Sequence, residues 1–190
     1  MTRRLLIAGV GNLFLGDDAF GCEVTRRLKR SHPRPGAGIE LRDFGVSVRA
    51  LGYELADRRA AEGGERIVIV DAVATGAAPG TLQLFDLGAA AEQGAPLVTH
   101  HAQGLAQALH TARALGARLD GTYLIGCEPD CFEPSLVPQG DFLSRGPGGA
   151  LLHGVGELTP HVEAAAERCV ALLHQLIEQP ERDLVALCLN

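Results

Sequence analysis

Two short runs, Leu5-Leu6-Ile7-Ala8 and Ile67-Val68-Ile69-Val70, are apolar at every position. Such runs, bounded by Gly or Asp, are the pattern of strands buried on both faces of a parallel sheet. They predict a first strand over roughly residues 3–9 and a third over 66–71. Between them, Ile39 and Leu41 alternate ahead of Gly45, which predicts a second strand over 39–44. A helix is expected from about Asp18 to Lys29, its acids at the N-terminus where the macrodipole favours negative charge. A second helix runs from Val48 to about residue 59, with Leu51 and Leu55 at i, i+4. The Pro/Gly-rich residues 33–38 form a loop.

After the turn signal Ala77-Ala78-Pro79-Gly80, residues 81–86 read as a strand with no helix in front of it, so it is antiparallel and at an edge. A third helix starts at His101 or Ala102 and runs to 115, with Leu105, Leu109 and Ala112 on one face; a fifth strand covers 122–126. The last helix has Thr159 as N-cap, Pro160 at its first position, and an apolar stripe from Val162 through Cys169 to Leu176. This alternation predicts an α/β fold: a three-layer α/β/α sandwich around a five-stranded, mostly parallel sheet with one antiparallel edge strand. Residues 1–190 read as a single domain with a Gly/Pro-rich loop insertion at about 133–157, long for a structureless loop.

Composition narrows the function. Hydrophobic residues make up 46% of the 190-residue chain and charged residues 21%, which argues for a folded globule over a disordered chain. The net charge of −6 and the absence of any Lys/Arg block argue against nucleic acid or an anionic membrane as partner. No segment approaches the length of a membrane span, and the apolar stretch after Arg3-Arg4 is too short for a signal peptide. Five widely spread cysteines fit a reducing cytoplasm and no disulfide framework. Cys127 and Cys131 are not spaced as a zinc pair.

The first strand leads through a short loop to Asp17 and Asp18, and the third ends directly on Asp71. Open α/β sheets place their working crevice outside the carboxyl ends of their strands. Acids aimed at one crevice repel each other and resist desolvation unless a cation or proton joins them. If the third helix feeds a parallel fifth strand, His100 and His101 start it at that same edge. There the helix dipole disfavours the imidazolium and leaves a lone pair for a metal. Two carboxylates and one imidazole would neutralise a divalent ion and leave positions open for water or substrate. The plainer alternative makes His100 a solvated loop residue and His101 an ordinary N-terminal helix residue.

Other chemistries fit less well. In Gly9-Val10-Gly11-Asn12-Leu13-Phe14 the third glycine of a dinucleotide fingerprint is replaced by Phe14, and Asp17 and Asp18 would face the pyrophosphate. Glu40 and Asp43 lie further from Gly9 than the usual ~20 residues. There is no G-x-S-x-G elbow, and the serines lack an obvious base partner nearby in sequence.

Together these residues resemble the hydrogenase maturation protease family, endopeptidases that trim the C-terminus of nickel–iron hydrogenase large subunits. The matching pieces are Gly9-Val10-Gly11-Asn12 with Asp17-Asp18 and Gly21, then Ile69-Val70-Asp71-Ala72 and His100-His101-Ala102-Gln103-Gly104-Leu105. Ile125-Gly126-Cys127-Glu128-Pro129 and Gly156-Glu157-Leu158-Thr159-Pro160 complete the ordered set. The resemblance implies that Asp18, Asp71 and His101 are the catalytic, metal-contacting trio of an aspartic-type endopeptidase without a Ser or Cys nucleophile. It implies that the metal is nickel carried by the substrate, or a surrogate divalent cation such as zinc or cadmium, with no organic cofactor. The implied partner is the hydrogenase large-subunit precursor, met by a cytoplasmic monomer. Where many relatives carry a Gly-Gly-Thr-x-Gly loop that helps recognise the large subunit, this chain has Asp43-Phe44-Gly45-Val46-Ser47-Val48. Asp43 and Gly45 are therefore the expected substrate-binding residues, for a divergent hydrogenase. Residues 133–157 are longer than the family's usual link. A non-cleaving chaperone would use the same trio for binding alone; a nucleotide-binding oxidoreductase is the third class.

Overall fold

Alternate residues of the first strand point into two different cores, and the molecule is layered accordingly. The computed structural model describes residues 4–60, 65–93, 102–131 and 157–188. Its strands are β1 (Leu5–Val10), β2 (Ile39–Gly45), β3 (Arg66–Ala72), β4 (Leu82–Asp86) and β5 (Thr122–Cys127). Its helices are α1 (Phe20–Ser31), α2 (Val48–Ala60), α3 (Leu87–Gln93), α4 (Ala102–Ala114), α5 (Pro160–Glu178) and α6 (Leu184–Cys188). The sheet order is β2-β1-β3-β5-β4. All pairs are parallel except β4 with β5, so β4 is the antiparallel edge strand the turn signal predicts.

Leu5 and Ile7 of β1, with Val68 and Val70 of β3, pack under α1 and α5. Leu6, Ala8 and Val10, with Ile67 and Ile69, pack under α2 and α4. Every residue of β1 and β3 is buried, which is why both strands are apolar on both faces. α1 crosses β1 and β3 at Gly21, where a Cβ would stand 2.1 Å from the Val70 carbonyl oxygen and 2.3 Å from that of Val10. Only a residue without a side chain permits that approach. α2 is held to its neighbours by the buried Arg58 guanidinium, which pairs with Glu54 at 2.6 Å, Glu65 at 2.7 Å, and Glu40.

The first helix differs from expectation. Asp17 and Asp18 sit in a 3-10 turn, Gly16–Ala19, and the α-helix begins only at Phe20. α3 and α6 are additional. Each is short and anchored by one buried leucine, Leu87 and Leu184, too little apolar periodicity to announce a helix. Among the described residues no helix is long and apolar enough to cross a membrane. All but one residue of the 133–157 stretch, and His101 itself, lie outside the described residues.

Candidate active site

β1 and β3 are direct neighbours in parallel register, Gly9 opposite Val70, so both deliver chain to the same edge. Beyond β1, Gly11 takes φ +144°, and a Cβ there would lie 1.9 Å from the backbone oxygen of Asp18. The Asn12 amide donates to that oxygen at 3.1 Å, so the loop folds back on itself and sets Asp18 beside the strand it left. Asn12 also caps the turn, its side-chain oxygen accepting from the Phe14 amide at 3.0 Å. The Asp18 side chain is directed inward; the residue is 2% exposed and both its oxygens are buried. Asp71 is wholly buried, and its Oδ1 accepts from the Ala72 amide at 2.9 Å.

Cys22 registers how these acids converge. Its thiol donates to the Gly11 carbonyl at 3.5 Å. Burial, then the carboxylate of Asp43 and the charges of Asp71 and Asp18, push it far above the ordinary thiol range. One sulfur atom thus feels three carboxylates from the ends of β1, β2 and β3. A thiol so placed stays protonated at neutral pH and is no nucleophile. Asp43 itself is exposed, its Oδ1 accepting from the Gly45 amide at 2.9 Å in a tight turn that needs φ +51° at Gly45. The Gly45 carbonyl accepts from the Gly11 amide at 3.1 Å, which ties this turn to the loop that bears Asp18. The structure therefore brings Asp18, Asp71, Asp43 and Gly45 to one edge.

The remaining expected ligand, His101, is among the residues not described. α4 begins at Ala102 and ends close before β5, which runs parallel to β3, so the start of α4 lies at the carboxyl edge of the sheet. Among the described residues no group of three or more His, Cys, Asp or Glu side chains is arranged to hold a metal ion. A complete ion site needs a donor beyond these residues, and two buried carboxylates are a donor set suited to a divalent cation.

Two further carboxylates shape the crevice. Asp17, fully buried, accepts four hydrogen bonds from residues 130, 131 and 159. Glu128, at the end of β5, accepts from the Thr75 amide and hydroxyl, both at 2.7 Å, and from the Gly76 amide at 3.1 Å. It thereby holds the loop that follows Asp71 and β3. Sequence reasoning placed Asp17 only among the acids at a helix N-terminus and gave Glu128 no structural role. For Glu128 the available signal was a carboxylate directly after a buried strand, the same signal that picked out Asp71.

Burial would raise the Glu128 carboxyl, but the bonds from Thr75 and the amides of Gly76 and Ala77 outweigh it and hold the group below the usual carboxylate range. A depressed folded value means the stabilisation is complete above the unfolded value of about 4.3 and is lost as pH falls through the folded one. Glu128→Gln is expected to flatten the fall of thermal stability in that acid window. A melt series from neutral to acid pH checks this, and an unchanged slope would refute it.

The family model described as "Hydrogenase maturation protease" matches residues 22–138. The hydrogenase expression/formation protein HupD of Rhodobacter capsulatus is 32% identical over 147 residues, covering 73% of this chain and 67% of that protein. The hydrogenase 2 maturation protease of Escherichia coli is 28% identical, covering 70% of this chain and 77% of its own. Among solved structures, the hydrogenase maturating endopeptidase HybD from E. coli aligns over 94% of both chains with TM-score 0.66 and 25% identity.

Proposed function

This chain belongs to the hydrogenase maturation protease family, and from that premise we propose that it removes the C-terminal extension of a nickel-loaded hydrogenase large-subunit precursor. The observation that carries the reading is the placement of Asp18 and Asp71, both buried at the carboxyl edge and acting on the same thiol. Buried like charges gathered at one edge are costly by themselves and are compensated when a cation joins them. In this reading the cation is the substrate's own nickel, met by Asp18, Asp71 and His101; zinc or cadmium would be surrogates. The Asp43–Gly45 turn on the rim meets the precursor beside it.

Cleavage then needs a water molecule delivered to the scissile carbonyl. A carboxylate at the site accepts a proton from that water as it attacks, the C–N bond breaks, and the proton passes to the departing amine. The protonated state of Cys22 removes the neighbouring thiol as a competing nucleophile. The divalent ion supplies polarisation at the carbonyl or water, or marks a finished precursor and leaves hydrolysis to the acids.

Intact-mass measurement of purified precursor, nickel-loaded and nickel-free, after incubation with the protein tests this. Loss of the C-terminal peptide from the loaded form alone is expected. Equal cleavage of both would remove the gatekeeping role, and binding without any mass change would mark a chaperone instead.

A further inference from the structure

Asp17 and Asp18 are adjacent and both buried, and Asp17 is gripped by donors from distant parts of the chain. Oδ2 of Asp17 accepts from the amides of Asp130 at 2.8 Å and Cys131 at 3.0 Å and from the Thr159 hydroxyl at 2.9 Å. Its Oδ1 accepts from the Thr159 amide at 2.7 Å, and its own amide donates to the Cys131 carbonyl at 3.0 Å. A carboxylate offers about four lone-pair sites, so four donors leave little for an ion or a substrate. Asp17 is therefore no ligand.

We propose that Asp17 is the positioning residue of the site, the fixed point from which Asp18 is aimed. The turn that carries Asp18 is held on one side by the Asp17 cluster. On the other it is held by the backbone of Gly11 and Asn12, pressed against the Asp18 carbonyl. Thr159 is the remote half of the device. It stands at the N-cap of α5, but its side chain makes no cap hydrogen bond; the hydroxyl is spent on Asp17, 142 residues away in sequence. The start of α5 thus sets the orientation of the first acid. Displacing a reacting group by ~1 Å costs about 10²-fold in rate, so a site of this kind is sensitive to such a peg.

The inference rests on the protease reading, and its test uses the full chain with nickel-loaded precursor, each variant assayed well below its own melting temperature. Thr159→Val removes the hydroxyl but keeps the amide; it is expected to lower kcat roughly tenfold, the order of one hydrogen bond to a charged group, with KM little changed. Thr159→Ser restores the hydroxyl and should restore the rate. Asp17→Asn is expected to lower kcat by about 10²-fold. Leu173→Ala, in the core about four turns further along α5, lowers the melting temperature and should spare kcat.

Wild-type rates in Thr159→Val and Asp17→Asn, or losses no larger than in Leu173→Ala, would overturn the role. If Asp17→Asn does not fold, the Thr159 pair decides. Precursor left intact by the wild-type protein would overturn the protease reading and this role with it; cleavage by wild type and Asp17→Asn alike would overturn the role alone.

Discussion

Asparagine in place of Asp71 is expected to suppress precursor cleavage by about 10²–10⁴-fold, the range associated with losing a catalytic acid or base. The fold should survive intact. Asp71 Oδ1 accepts from the Ala72 amide at 2.9 Å, a bond the asparagine carbonyl oxygen can reproduce. The substitution also removes one of the negative charges gathered around Cys22. The melting temperature should therefore hold or rise while activity disappears, the signature of a residue kept for chemistry at some expense of stability. Asp18→Asn should behave alike. A time course of intact mass beside a thermal melt reads both quantities, and substantial cleavage by either variant would remove these acids from the reaction.

The second large effect concerns the scaffold. Gly21→Ala places a methyl group 2.1 Å from the Val70 carbonyl oxygen and 2.8 Å from the Val10 nitrogen, all backbone atoms of two central strands. No flexible side chain can yield there, so α1 must lift from the sheet. Overpacking usually costs 1–3 kcal/mol, and rigid backbone on every side puts this case at about 3 kcal/mol or more. The urea midpoint should fall in proportion, and a midpoint near wild type would contradict the contact. Because α1 follows directly from the turn with Asp17 and Asp18, what remains folded should also lose precursor cleavage.

How much was legible in the sequence depended on whether a residue's partner was near in the chain or its environment uniform. β1 and β3 were plain because burial on both faces forces apolar residues at every position. β4 was plain because no helix stood before it. α5 announced itself through Thr159, Pro160 and a long stripe, although the threonine hydroxyl does something other than its position suggests. Asp18 and Asp71 were found because strand ends in such sheets converge. Asp17 read as a companion of Asp18, since nothing local reveals donors at residues 130, 131 and 159. Glu128 stands within a motif, and its grip on Thr75 and Gly76 follows only from the packing of β5 against β3.

The order of the sheet has a consequence for how such proteins diverge. Asp18 and Asp71 are brought together by one inter-strand step of about 4.8 Å between β1 and β3. That step does not run through residues 39–60. β2 lies at the margin, outside β1, and it, α2 and the link between them carry the Asp43–Gly45 turn and the exposed Val46 and Tyr53. Provided Leu51 and Leu55 still seal the core and the Gly45–Gly11 backbone bond is kept, this peripheral cassette, proposed above to meet the precursor, can drift toward a new client without moving the acids. Recognition and hydrolysis can evolve on separate clocks within one small fold.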